Sequence, residues 1–164
     1  VYTEMLAEEI AKLKGEQQAA SKPQVALDLD LDARLSPSYI QDDDRRIAYY
    51  GRFAETDSLA QVGRIAREMR EEYGPFPAEV KAFVDLVKLR LLAGERGVVS
   101  IKEHMTDIEI AFGDEGVDYD ARKVKELPFN VEPTRYPPGF SLKKRGMAAT
   151  DYPGAISSLL YACR

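Results

Sequence analysis

One cysteine and one histidine in 164 residues leave little for metal or redox chemistry. Cys163 stands one residue from the end of the sequence and cannot form an internal disulfide, which fits a reducing, cytoplasmic setting. His104 and Cys163 together cannot build a typical zinc site, and neither H-E-x-x-H nor C-x-x-C spacing occurs. As a general base His104 would need a nucleophile and an orienting partner, and no motif supplies them. It reads as a surface or turn histidine. Cys163 has no histidine near it in sequence and no role as a nucleophile is expected of it. The G-x-x-x-x-G-K-[ST] pattern is missing, so no backbone cradle with a lysine for nucleotide phosphates is written here. No apolar run approaches the roughly 20 residues that span a bilayer. No signal-peptide pattern is seen. The expectation is therefore a chain without a catalytic centre, without a cofactor or metal of its own, and without a membrane partner.

What is present is an ordinary globular composition, 45% hydrophobic and 31% charged. At this length one domain is the default. With 23 basic against 28 acidic residues the net charge is -5, which does not attract phosphate backbones over the surface as a whole. The sequence starts at Val1 inside a helical pattern and without an initiator methionine, so a piece cut from a longer protein is expected.

Residues 2–13 place Leu6, Ile10 and Leu13 at helical spacing, with Glu4, Glu8, Glu9, Lys12 and Lys14 for a solvated face and Gly15 as a stop. Residues 16–24 read as a polar linker. Val25, Leu27, Leu29 and Leu31 then alternate with Asp28 and Asp30, the period of a half-buried strand. Those aspartates splay into solvent with no third cluster to close a cation site. After the turn at Ser36, Pro37 and Ser38, Asp42 is a natural N-cap for a helix to about Ala54, with Asp43 and Asp44 in its first turn and Ile47, Tyr50 and Ala54 as its buried stripe. Thr56 or Asp57 would cap a second helix carrying Leu59, Val62, Ala66, Met69 and Tyr73. Pro77 would open a third, with Val80, Phe83, Val84, Val87 and Leu91, stopping near Gly94 or Gly97. The second half changes period. Residues 98–101 and the alternating Ile108, Ile110 and Phe112 suggest a hairpin or adjacent strands, residues 118–127 a short helix, and the proline-broken residues 131–144 only interrupted, edge-type strands. Pro153 would start a last helix with Ile156, Leu159 and Leu160 inward.

Two clusters are candidates for binding. The second helix ends in Glu68, Met69, Arg70, Glu71 and Glu72, where acidic groups oppose the helix dipole and call for a compensating charge. Glu68 and Glu72, four apart, share a face and could meet arginines on a partner. Lys143, Lys144 and Arg145, with Arg135 and Tyr136 upstream, set cations among aromatics, as single-stranded nucleic acid requires. A solvated strand end is the simpler account of them given the acidic total.

The run Tyr39, Ile40, Asp42, Arg46, Ile47, Tyr50, Arg52, followed by Tyr73, Gly74 and Pro77, resembles the C-terminal domain of bacterial transcription-repair coupling factors. There a Y-I-x-D-x-x-x-R-L-x-x-Y-x-R run precedes a [FY]-G-x-x-P turn. Residues 85–93 are similar to the family's L-D-x-x-[RK]-L-R-x-x-A helix, and the opening residues to the helix that leaves its motor module. The likeness covers residues 23–99 and departs at Gln41, where proline is common, and at Gly51, where lysine is common.

The resemblance implies an α+β fold, a three-helix segment packed with a small mixed or antiparallel sheet. Residues 1–22 would be a helix and linker from the preceding translocase, and residues 23–164 the regulatory domain. It implies a full-length protein that uses ATP and magnesium, bound elsewhere, to translocate on DNA, dislodge stalled RNA polymerase and recruit excision repair. RNA polymerase and DNA would be met through other domains. This domain would dock on an excinuclease-B-like module, hiding the surface that engages excinuclease A, with Glu68, Arg70, Glu71 and Glu72 as contacts. The alternative expectation is a nucleic-acid-binding accessory domain using Arg135, Lys143, Lys144 and Arg145.

Overall fold

The computed structural model describes residues 25–163. The helix and linker expected over residues 1–22, and the domain boundary drawn there, lie outside the described residues. The described chain is α+β, as expected, with five α-helices and one five-stranded mixed sheet.

The helical half begins at Asp42, whose carboxylate accepts from the amides of Asp44 and Arg45 and so starts α1 (Asp43–Ala54). The second helix, α2 (Leu59–Tyr73), is capped by Ser58, whose hydroxyl accepts from the Gln61 amide. The expected caps are otherwise engaged. Thr56 turns its hydroxyl back to the Phe53 carbonyl, and the Asp57 amide donates to the Gln61 side chain. The third helix, α3 (Ala78–Glu95), follows Pro77. The buried residues of α2, Val62, Ala66 and Met69, belong to the predicted stripe. On α1 the stripe is rotated: Tyr49 and Phe53 are buried, while Ile47 is 66% exposed. Aromatic packing decides this, because each ring removes more apolar area from water than an isoleucine. Tyr50 and Phe53 both meet Phe83 of α3 edge to face, at 5.1 and 5.5 Å.

The sheet comprises β1 (Ala26–Asp28), β2 (Val98–Glu103), β3 (Asp107–Phe112), β4 (Val131–Arg135) and β5 (Pro138–Lys143), in the order β1-β2-β3-β5-β4. β1 runs parallel to β2, and the other pairs are antiparallel. The strand expected over residues 25–31 shortens to the three residues that find a partner in β2. The hairpin of β2 and β3 forms as predicted. The proline-broken stretch does more than predicted. β4 is an edge strand and tolerates Pro133 there, but β5 lies between β3 and β4, with Pro138 confined to its first residue. Gly139 makes that possible, since at φ +156° a Cβ would collide with the Ile110 carbonyl oxygen.

A short helix, α4 (Ala121–Lys125), starts at Asp120 inside the expected range, and α5 (Tyr152–Tyr161) closes the described fold. Ile156, Leu159 and Leu160 of α5 are fully buried with Leu89 and Leu92 of α3 and with Ile101, Ile108, Ile110, Phe140 and Leu142 of the sheet. A second core joins Met69, Phe53 and Val80 in the helical half. α3 contributes to both cores, which is why its apolar residues do not keep to one stripe.

Candidate protein-docking surface

The last two turns of α2 run beside α1, and two of the acidic groups there, Glu68 and Glu72, are paired within the domain. Arg52 donates to Glu68 at 2.6 Å, and Arg45 forms an ion pair with Glu72. The Tyr49 hydroxyl donates to the other Glu72 oxygen at 3.0 Å. Arg45, Tyr49 and Arg52 stand at i, i+4 and i+7 on α1, so one helical face meets the acidic face of α2. These α1 arginines supply the charge that the acidic helix end calls for. They were missed in the sequence, although their own helical spacing marks them as one face.

The hydrogen bond from Arg52 holds the Glu68 carboxyl below its ordinary range, and the same bond raises the Arg52 guanidinium. Burial, with the Glu68 charge, raises the Tyr49 phenol. Both groups of the Arg52–Glu68 pair are largely in water, so the pair adds little to stability and can exchange partners. Glu71 is exposed and has no ion pair among the described residues. Arg70 is exposed and stacks its guanidinium on Phe76, 4.7 Å from the ring centre. The four residues named from the sequence therefore lie on one helix end. Two are held by α1 and two face solvent.

The turn that follows is rigidly tied. The Tyr39 hydroxyl donates to the Gly74 carbonyl at 2.6 Å, and Tyr39 packs against Tyr73 and Phe76. Arg46 donates to the Ile40 carbonyl and Tyr50 accepts from the Leu35 amide. Tyr39, Asp42, Arg46 and Tyr50, the most recognisable residues of the sequence, thus build the scaffold behind the surface. A shallow polar cleft of about 290 Å³ opens at the far end of the α1–α2 seam, between Arg52 and Arg64.

The basic residues are not one cluster. Arg135 pairs with Pro138 at the β4–β5 turn, and Lys143 lies at the other end of β5, about 17 Å away at strand rise. Lys143 stands 3.4 Å from Glu132, and Lys144 stands 3.3 Å from Glu103 and donates to the His104 carbonyl. Arg135 and Arg145 are exposed without an ion pair among the described residues. His104 sits in the β2–β3 turn, 3.8 Å from Glu109. Cys163 is buried, its thiol pushed up to about 11 by burial. Among the described residues no group of three or more His, Cys, Asp and Glu side chains could hold a metal ion, and no helix is long and apolar enough to cross a membrane.

Comparison with known proteins gives a consistent result. The TRCF domain family matches residues 29–123. The chain is 27% identical over 128 residues to the transcription-repair-coupling factor of Bacillus subtilis, covering 77% of this chain and 11% of that protein. It is 30% identical over 111 residues to the Staphylococcus aureus USA300 transcription-repair-coupling factor, covering 67% of this chain and 10% of that protein. The chain thus spans about a tenth of the length of these relatives. A crystal structure of the C-terminal domain of transcription-repair coupling factor shares the fold, with TM-score 0.70 and 16% identity over 87% of this chain and 91% of that one.

Proposed function

The chain belongs to the TRCF domain family, and from that premise we propose that it is the non-catalytic regulatory domain of a transcription-repair coupling factor. In this reading the longer protein is an ATP-driven DNA translocase that removes stalled RNA polymerase, with ATP and magnesium bound in other modules. The domain holds that protein inactive by docking on an excinuclease-B-like module and covering the surface for excinuclease A.

The observation that carries this reading is the end of α2. Glu68, Glu71 and Glu72 present carboxylates beside a turn held fast by Tyr39, and Arg70 is fixed on Phe76 next to them. A basic patch on the partner can take Glu71 directly and can draw Glu68 from Arg52, an exchange between exposed ion pairs. The domain and excinuclease A would then compete for one surface, and the balance between closed and open states would act as the switch.

The test is binding of this domain, in trans, to the excinuclease-B-like module of the same protein, with a Glu68→Arg, Glu71→Arg variant and a parallel titration with short duplex DNA. Module binding that charge reversal abolishes supports the reading. Salt-sensitive DNA binding without module binding overturns it and favours Arg135, Lys143, Lys144 and Arg145 as the working residues.

A further inference from the structure

Where α2, α3 and α5 meet, a groove of about 310 Å³ stays open between the two cores. Leu59, Leu92 and Tyr161 give it an apolar lining, and Tyr161 is 58% exposed although it is a large ring. Cations flank that lining. Lys88, Leu92 and Arg96 recur every four residues along α3 and its C-cap, so Leu92 stands between two positive charges about 12 Å apart along the axis. Lys88 is exposed and has no ion pair among the described residues. Arg96 has none either. Its guanidinium lies 6.0 Å from the Tyr161 ring centre, and its buried Nε has no hydrogen-bond partner there. Arg67, one turn beyond Gly63 on α2, is a third exposed and unpaired cation, and with Lys88 it outweighs Asp85 one turn before. Gly63 itself lines the groove in mid-helix, where glycine weakens a helix relative to alanine. A Cβ added there would meet nothing within 4 Å, so no described residue demands the glycine. Close approach of a backbone from outside does.

We propose that the groove docks a helix of a protein partner that carries one large aliphatic side chain between two carboxylates, set about two turns apart. The aliphatic group covers Leu59, Leu92 and Tyr161, and the carboxylates meet Lys88 and Arg96, whose Nε has a proton to donate and no acceptor within the domain. The partner is acidic because the flanks are cationic in a chain whose net charge is -5, so the positive sign is local to this face. A nucleic-acid strand would need a continuous cationic track with stacking rings, whereas here the two flanking cations are parted by an aliphatic residue. A second copy offers a poorer fit. The acidic end of its α2 has Met69 fully buried, which leaves no aliphatic anchor between the carboxylates. The groove lies at the other end of α2 from Glu71 and Glu72, so the proposal does not depend on where that end docks, and either idea can fail alone.

Fluorescence anisotropy of the full 164-residue chain against three labelled, alanine-based helical peptides tests it. The first peptide carries Glu-x-x-x-Leu-x-x-x-Glu, the second has lysine for both glutamates, and the third has alanine for the leucine. The first should bind at least tenfold more tightly than either of the others. Gly63→Leu, which fills the groove from within, should abolish that binding while the melting temperature holds or rises. The double variant Lys88→Glu, Arg96→Glu should reverse the preference in favour of the lysine peptide, a result that simple loss of folding cannot give. No binding of the first peptide at about 1 mM, equal binding of all three, or binding that survives Gly63→Leu overturns the proposal. Self-association in sedimentation that Gly63→Leu abolishes would also overturn it, because a second copy would then fill the groove. Salt-sensitive oligonucleotide binding lost in the same variant would overturn it in favour of nucleic acid.

Discussion

Arg52 of α1 holds Glu68 of α2 at 2.6 Å across the helix seam, and Tyr49 lies between the two pairs, its ring 5.4 Å from the Arg52 guanidinium and its hydroxyl on Glu72. The domain therefore carries its own occupant for a carboxylate proposed to dock. An exposed pair of this kind both restrains Glu68 and competes with any cationic partner.

Arg52→Ala should accordingly tighten binding to a basic partner surface, because it releases Glu68, whereas Glu68→Ala should weaken it by about tenfold if Glu68 is a hot spot. Both should leave thermal stability nearly unchanged. Titration calorimetry against the excinuclease-B-like module checks this, and Arg52→Ala weakening the complex would count against exchange.

Gly139→Ala should destabilise the domain by about 3 kcal/mol or more, since the new methyl collides with the Ile110 backbone and neither strand can move away in mid-sheet. Urea unfolding followed by circular dichroism measures it. A loss below about 1 kcal/mol would mean that β5 does not lie against β3 in this way.

Met69 and Ile47 make a matched contrast. Met69→Ala removes a side chain with 0% exposure and should cost about 2–5 kcal/mol, while Ile47→Ala, at 66% exposure, should cost less than about 0.5 kcal/mol. Helical periodicity alone assigns both to the core. Equal losses in a denaturant series would reinstate that simpler reading.

Tyr39→Phe should cost about 1 kcal/mol through the lost hydrogen bond to Gly74. The effect should appear in hydrogen exchange at the end of α2 before it appears in the sheet. Uniform loosening of the whole domain would contradict a local tie.

Cys163 gives a pH dependence. Its thiol is raised from 9.0 to about 11 in the folded protein. The unfolded chain thus ionises first, and stability present below pH 9 declines as the pH rises through the window to 11, by on the order of 2 kcal/mol. Urea midpoints at pH 8 and pH 10.5 should differ more for the native chain than for Cys163→Ala, in which the raised Tyr39 and Tyr49 phenols still leave a smaller decline of the same sign. A native thiol titrating near pH 9 would remove the effect.

Much of this was legible along the chain. Period-two and period-four patterns depend only on local geometry, so the three-helix run, the β2–β3 hairpin and the inward residues of α5 followed from spacing. The signature around Tyr39, Asp42, Arg46 and Tyr50 was legible as a resemblance, and its side chains hold backbone groups both near in sequence, as Asp42 does at its own helix start, and far from it, as Tyr39 does at Gly74. The acidic end of α2 was equally visible.

What the sequence by itself determined was a composition without a membrane-spanning run, an α+β order of elements and the placement of charge on helix ends. Only the tertiary structure decided which charges meet. Arg45 and Arg52 reach Glu72 and Glu68 because α1 and α2 pack side by side, a relation between residues 16 or more apart. It also turned α1 so that Tyr49 and Phe53 replaced Ile47 in the core, and it separated Arg135 from Lys143 along β5. Spacing fixes which residues share an element's face. The partner that the face meets is set by how whole elements bury their largest side chains, and no local pattern contains that.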